Sequence, residues 1–313
     1  MAGNVKISNI SMKAPNTDSR FTCRQMVEGM IAHLSGKVEN VLPDKPDLIV
    51  LPEHCDSPAN LGEKSREYYE ARGEQVLEHF RETASRNKTY IAYSARRKDE
   101  EGKWRNSTVI IDRKGNIAGV YNKNHLVITE NSESGVSYGT EASLIQCDFG
   151  TVACVICFDL NFTELLDKYA KLHPDLLIFS SAYHGGLMQA YWAYACRAHF
   201  VGALKGLPGT ILSPLGNAIA STTNYCDYVT ASVNLDCCVA HIDENWKRFQ
   251  AMKKKYGRGV SVYDPGYLGC VLISNNMEGI AVKDIVKEFE IELLDDYFKR
   301  SLKHRQENML KVD

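Results

Sequence analysis

The chain has 313 residues, 44% apolar and 24% charged, which is ample material for the core of an ordinary globular protein. Its 37 basic and 39 acidic side chains sum to 37 − 39 = −2, a balance that excludes the electrostatic footprint of a nucleic-acid or anionic-membrane binder. No apolar run approaches the roughly 18 residues of a spanning helix, and Met1–Asn16 lacks the apolar centre of a secretory signal, so the expectation is a cytoplasmic protein with no membrane partner.

In chain order, β-rich runs alternate with helical stretches. Val5–Met12 reads as a strand, Arg20–Lys37 as a helix, and Asp47–Leu51 as a buried strand stopped by Pro52. A charged helix covers Gly73–Arg86, and a strand follows at Tyr90–Ala95. Arg113-Lys114-Gly115-Asn116 is a turn between strands Ser107–Asp112 and Ile117–Tyr121, and Asp148-Phe149-Gly150 joins Ser143–Cys147 to Thr151–Cys157. Leu176–Phe179 is a short apolar strand and Met188–Phe200 a helix; Ile211–Ser213, Ala218–Ser221 and Tyr228–Asn234 complete the strands. Alternation alone suggests parallel βαβ units, but the interposed hairpins call for an α/β fold with mixed sheets and helices on their outer faces. Two regions follow: a domain over 1–245 and an extension over 246–313. In the extension Val282, Ile285, Val286, Phe289, Leu293, Leu294, Tyr297 and Phe298 fall near helical spacing. That predicts one or two amphipathic helices packed on the domain or on a partner subunit.

Ten cysteines are scattered through apolar runs rather than spaced as a framework, which reads as reduced thiols. Cys154 and Cys157 form a Cys-x-x-Cys. An offset of three along a strand turns the two sulfurs to opposite faces, and no second spaced pair completes a zinc site. No metal and no organic cofactor is expected.

Three residues suited to acid–base or nucleophilic work stand at strand ends: Glu53 after Asp47–Pro52, Lys123 after Ile117–Tyr121, and Cys157 after Thr151–Ile156. Strand ends meet loops, and loops line clefts. Singly, each reads as a solvated carboxylate, a surface lysine or a structural thiol. Together they make a mechanism. A free thiol is only a few per cent ionised at neutral pH and needs a base or a neighbouring cation. Glu53 can take the thiol proton, return it to a departing amine and then activate water. Lys123 supplies fixed positive charge for an oxyanion, with the Phe158 N–H as a second donor.

Leu51-Pro52-Glu53, Tyr121-Asn122-Lys123-Asn124-His125-Leu126 and Ile156-Cys157-Phe158-Asp159-Leu160-Asn161-Phe162-Thr163-Glu164 resemble the three signature blocks of the nitrilase or carbon–nitrogen hydrolase superfamily. Asn106-Ser107, Asp112–Gly115 and Gly139 lie between them as supporting pieces, and the resemblance spans roughly residues 4–240. It implies a four-layer α-β-β-α sandwich and thiol-dependent hydrolysis of non-peptide C–N bonds through a thioester, with a small amide or N-carbamoyl compound and water as reactants. It also implies a second glutamate that holds the lysine. Glu133, ten residues after Lys123, matches that pattern, with Glu130 and Glu141 as alternatives. Nitrilases of the superfamily tend to carry Trp-Glu after the cysteine, so Phe158-Asp159 leans toward amide or carbamoyl chemistry. Asn161 stands where relatives that bind a carboxylate carry an arginine, and an asparagine cannot grip an anion with two parallel bonds. A neutral amide is therefore expected. Tyr183 and His184, after strand Leu176–Phe179, are candidate pocket residues. Relatives pair through helices, and Phe162–Lys171 with Tyr191–Phe200 suit a homodimer or larger assembly. The alternatives are nitrile hydrolysis by the same three residues and a catalytically silent binding protein on the same fold.

Overall fold

The computed structural model describes residues 3–18 and 20–309. Its larger unit spans residues 5–233. In chain order it runs β1 (Asn4–Ile10), α1 (Cys23–Glu39), β2 (Leu48–Val50), α2 (Ser65–Arg72), α3 (Gln75–Asn87), β3 (Tyr90–Lys98), β4 (Trp104–Ile111), β5 (Ile117–Asn122) and α4 (Ile128–Ser132). There follow β6 (Ile145–Cys147), β7 (Gly150–Ile156), a 3-10 turn over Cys157–Asn161, α5 (Thr163–Leu172), β8 (Leu176–Ser181), α6 (Leu187–Cys196), β9 (His199–Leu204), β10 (Thr210–Leu212), β11 (Ala218–Ser221) and β12 (Tyr228–Asn234).

These strands form two six-stranded mixed sheets. One is ordered β12-β1-β2-β3-β4-β5, with β1, β2 and β3 parallel and the hairpins β3–β4 and β4–β5 antiparallel. The other is ordered β11-β10-β9-β8-β7-β6, with β7, β8 and β9 parallel. Helices cover the outer faces because their apolar residues recur at helical spacing. In α3, Val76, Leu77, Phe80 and Ala84 face the first sheet's Ile91, Tyr93 and Val109. In α5, Leu165, Leu166 and Tyr169 pack with Val155 and Leu177 of the second. Each such side chain contributes about 1.5–3 kcal/mol by leaving water. Thr22 starts α1 with a reciprocal cap, its hydroxyl accepting the Gln25 N–H while Gln25 Oε1 accepts the Thr22 N–H. The inner faces meet through polar as well as apolar contacts: Asn9 Nδ2 donates to Gly202 O at 2.7 Å and Ser180 Oγ to Leu51 O at 2.9 Å. The result is the α-β-β-α sandwich with mixed sheets.

A second compact unit comprises residues 234–309 with Gly3 and Asn4. It is a three-stranded antiparallel sheet, β13 (Cys237–His241), β14 (Val260–Tyr263) and β15 (Cys270–Asn275) in the order β13-β15-β14. The helices α7 (Trp246–Tyr256), α8 (Val282–Glu288) and α9 (Leu294–Met309) complete it. Its core gathers Phe249, Met252, Val271, Ile273 and Ile285. The boundary falls near residue 234 rather than between 245 and 246, because β13 pairs with β15 and so belongs with the chain that follows it. Helix Met188–Phe200 also needs correcting. Arg197 takes a left-handed φ of 54°, which ends α6, and His199 begins a fully buried strand parallel to β8. Among the described residues no helix is long and apolar enough to cross a membrane.

Candidate active site

The site lies where the parallel strands β2, β7 and β8 end, the position at which open α/β sheets place their ligands. Glu53 follows β2 and is 3% exposed; Lys123 follows β5 and is 2% exposed. Lys123 Nζ donates to Glu53 Oε1 at 3.1 Å and to Glu130 Oε2 at 2.8 Å. Asn106, on β4, donates to the same Glu53 Oε1 at 2.8 Å and to Glu130 Oε1 at 3.0 Å. The remaining oxygen of Glu53 accepts the Ala182 N–H at 3.1 Å. The buried Glu53 and the half-buried Glu130 thus share one ammonium and one amide, which compensates charge that would otherwise be costly away from water.

Cys157 begins the 3-10 turn at the end of β7 with φ 48°, a left-handed value that strains any residue with a Cβ. Asp159, fully buried, clamps that turn. Its carboxylate accepts the Ile156 N–H at 3.1 Å, the Tyr121 hydroxyl at 2.7 Å and the His125 N–H at 2.7 Å, so the nucleophile loop and the lysine loop are bolted to one another. The His125 ring adds Nδ1 to the same carboxylate at 2.9 Å and stacks on Phe162 at 3.9 Å. Hydrogen bonding to Asp159, only partly opposed by burial, holds the imidazole pKa above its ordinary value.

Burial and then the Glu53 carboxylate push the Cys157 thiol up to about 11, against Lys123, the Ser181 hydroxyl and the Ala182 N–H, which favour thiolate. The resting group is a protonated thiol beside a carboxylate. For Lys123, burial acts against the charge, but Glu53, Cys157 and Glu130 outweigh it and raise its pKa. The ammonium is permanent. Ligand atoms of Glu53, His54 and Glu130 lie within 4.8 Å of one another, yet Lys123 Nζ already bonds both carboxylates, so the cationic role there is filled by the chain itself.

The structure brings Glu53, Lys123 and Cys157 together, but it puts Glu130 on the lysine rather than Glu133. Helix α4 begins directly after Val127, and Glu130 turns back so that Oε2 accepts the Val127 N–H at 2.9 Å as well as Lys123. Glu133 caps the other end of that short helix and is exposed; Glu141 is exposed too. Gly139 lets the loop fold back over the lysine: its N–H donates to Lys123 O at 2.8 Å, and a Cβ there would meet Asn122 O at 2.1 Å.

Of the candidate pocket residues, Asn161 donates to Phe158 O and to the Tyr183 hydroxyl, both at 3.1 Å, and so braces its own loop. Tyr183 is half-buried. Phe158 sets its ring edge-on to Phe162 at 5.1 Å. His184 is exposed, its Nδ1 accepting the Gly186 N–H at 3.2 Å, and among the described residues no hydrogen bond ties it to Glu53, Lys123 or Cys157. Asn106, already a supporting piece of the resemblance, and Ser181 and Ala182, in the segment that follows strand Leu176–Phe179, also join this cluster. Asn106 lies on β4 beside Ser107, which pairs with Asn122 at the end of β5 just before Lys123, whereas Ala182 meets Glu53 through a backbone N–H and leaves no side-chain signal.

Comparisons with known proteins bear on the family and the fold. The profile of the Carbon-nitrogen hydrolase family matches residues 24–202. The chain is 26% identical over 213 residues to the Drosophila melanogaster nitrilase and fragile histidine triad fusion protein NitFhit, covering 60% of this chain and 46% of that one. It is also 26% identical over 162 residues to the Danio rerio omega-amidase NIT2, covering 49% and 58%. The chain therefore spans about half the length of these curated relatives. A crystal structure of a carbon-nitrogen hydrolase from Helicobacter pylori G27 superposes with a TM-score of 0.65 at 16% identity, covering 82% of this chain and 94% of that one.

Proposed function

The chain belongs to the carbon-nitrogen hydrolase family, and from that premise we propose that it hydrolyses small carboxamides or N-carbamoyl compounds through a thioester on Cys157. The observation that carries the reading is the shared ammonium: Lys123 Nζ bonds Glu53 and Glu130 at the edge of the Cys157 loop. Glu53 takes the thiol proton as Sγ attacks the carbonyl carbon, and the π pair moves to oxygen. The Lys123 ammonium and the Phe158 N–H, at the start of the 3-10 turn, stabilise that oxyanion. As the carbonyl reforms, the C–N bond breaks and Glu53 protonates the leaving nitrogen. Water enters, Glu53 takes its proton, and hydroxide attacks the thioester. The thiolate leaves and recovers its proton from Glu53. Glu130 and Asn106 keep the lysine and the base in register throughout.

The test is ammonia release over a panel of amides, N-carbamoyl compounds and nitriles with wild-type and Cys157→Ala protein, alongside mass spectrometry for an acyl adduct on Cys157. Amide or carbamoyl turnover that vanishes in a folded Cys157→Ala protein supports the reading. Turnover that survives the substitution refutes it, and turnover confined to nitriles favours nitrile hydrolysis by the same residues.

A further inference from the structure

Directly after Glu53 stands His54, which has no part in the thioester chemistry. Its φ is 47°, a left-handed value that strains any residue with a Cβ and persists only where the surroundings enforce it. Two donors enforce it here: the Ser57 N–H and the Lys205 ammonium reach the His54 carbonyl at 3.1 and 3.2 Å. The next residue is fixed as well, the Cys55 N–H donating to Ser94 O on β3 at 3.0 Å. The imidazole is therefore carried on a braced backbone, one position from the base.

A ring nitrogen of His54 lies within 4.8 Å of carboxylate oxygens of both Glu53 and Glu130. Those oxygens are taken up by Lys123, Asn106 and the Ala182 and Val127 N–H groups, none by the imidazole. The ring is half-buried, and its Nδ1 is buried with no hydrogen-bond partner among the described residues. A single atom bridges such a span. Placed about 2.9 Å from each end of 4.8 Å, it subtends an angle of about 110°, close to that between two bonds of a tetrahedral nitrogen. Burial, and then Arg96, Lys205, Lys123 and Arg72, hold the imidazole pKa well below its ordinary value, so the ring is neutral and keeps a lone pair.

We infer that His54 is a specificity-determining residue of the hydrolase, its ring accepting an N–H of the scissile amide or carbamoyl nitrogen while that nitrogen faces Glu53. The inference rests on the catalytic reading above. To protonate the leaving nitrogen, Glu53 must come within hydrogen-bond reach of it, which sets that nitrogen in the bridging position. In a site closed to water its N–H needs an acceptor. As the nitrogen turns tetrahedral in the intermediate, its lone pair meets the proton on Glu53 and its N–H stays on the imidazole. An ester oxygen or a nitrile has no such hydrogen to offer, so His54 favours leaving groups that carry an N–H.

The measurement is the ratio of kcat/KM for the amide or carbamoyl compound turned over fastest to that for the phenyl ester of the same acyl group. It is made in wild type, His54→Phe, His54→Ala and His54→Asn. Both substrates pass through one thioester, and kcat/KM reads the steps up to loss of the leaving group. His54→Phe keeps the shape of the ring and His54→Ala removes it; in whichever folds, the ratio should fall about tenfold or more. Asparagine tolerates the left-handed backbone and restores an acceptor, so His54→Asn should lower the ratio by less. Amide and ester rates that decline together, or a ratio that no substitution moves, overturn the assignment while leaving a Cys157-dependent amidase standing. If wild type turns over no amide or carbamoyl compound, the catalytic reading fails separately. In that case, or if no His54 variant folds, nitrogen NMR of isotope-labelled histidine in the Cys157→Ala protein decides the contact. An upfield move of the His54 lone-pair nitrogen with butyramide, absent with ethyl butyrate, supports it; no move, or the same move with both, overturns it.

Discussion

Replacing Glu53 by glutamine should move two readouts of Cys157 in opposite directions. A thiol held at about 11 is ionised to only ~10⁻⁴ at pH 7, against ~3% for a free cysteine near 8.5. Forming thiolate without a base thus costs about 5 kcal/mol at neutral pH, four units at about 1.4 kcal/mol each. Alkylation of wild-type Cys157 by iodoacetamide should be some 300-fold slower than for an ordinary thiol, and it should climb tenfold per pH unit toward about pH 11. After burial, the largest cause of that elevation is the Glu53 carboxylate, while Lys123 acts the other way. Glu53→Gln removes the anion and leaves the cation, so the thiol pKa must fall; a drop of one unit raises labelling at pH 7 about tenfold. Hydrolysis should meanwhile drop about 10²- to 10⁴-fold, the scale of losing a general base. The assay is labelling rate against pH, followed by mass spectrometry of the Cys157 peptide, beside turnover on one amide. Slower labelling in Glu53→Gln, or a wild-type thiol titrating at or below pH 7, would refute the assignment of Glu53 as the base acting on a resting thiol.

Lys123→Met should lower kcat by about 10²–10³ through loss of an oxyanion donor. Because it also leaves the buried Glu53 and the half-buried Glu130 without their cation, urea unfolding should show a loss of about 3–5 kcal/mol; an unchanged midpoint refutes the shared-ammonium reading. His125 carries a folded pKa raised above its ordinary value, so its charge contributes stability fully below about pH 6.5 and loses it as pH rises through the folded pKa. The stability gap between wild type and His125→Gln should therefore narrow from pH 6 to pH 9, leaving the pH-independent stack on Phe162; a constant gap contradicts the Asp159 pairing. Leu187 and Tyr191 on α6 are 79% and 48% exposed, and if they pair two copies, light scattering should give at least a dimer that Leu187→Glu with Tyr191→Glu converts to monomer. A monomeric wild type at micromolar concentration counts against it.

Period and punctuation carried most of the larger unit, because its strands are bounded by turns whose residues are chemically explicit. Arg113–Asn116 and Asp148–Gly150 separate strands at the positions where the chain reverses. Where punctuation is missing, the reading slid. Nothing like a glycine or proline marks the end of α6, and only the left-handed backbone of Arg197 stops it, so the buried strand β9 merged with the helix. The same lack of a break between β12 and β13, joined through Leu235 and Asp236, shifted the start of the second unit. Its β14 is short and lies inside the glycine-rich stretch 256–269, with β15 directly after it, so their pairing is not contained in the local pattern.

Residue type pointed to Glu53, Lys123 and Cys157 because each stands one to three places beyond a strand, and strand ends converge. Partner choice among neighbouring carboxylates is a different kind of question. Glu130 and Glu133 differ by three positions, nearly one helical turn, and counting from Lys123 treats them as interchangeable loop acids. What separates them is where α4 begins: a start after Val127 makes Glu130 the third helical residue, able to return to the Val127 N–H and so face Lys123. Glu133 then falls at the exposed end. Residue types say which chemistry a cluster could do, but which of two neighbouring carboxylates faces the lysine is decided by where a helix starts, and that follows from packing rather than from spacing in the chain.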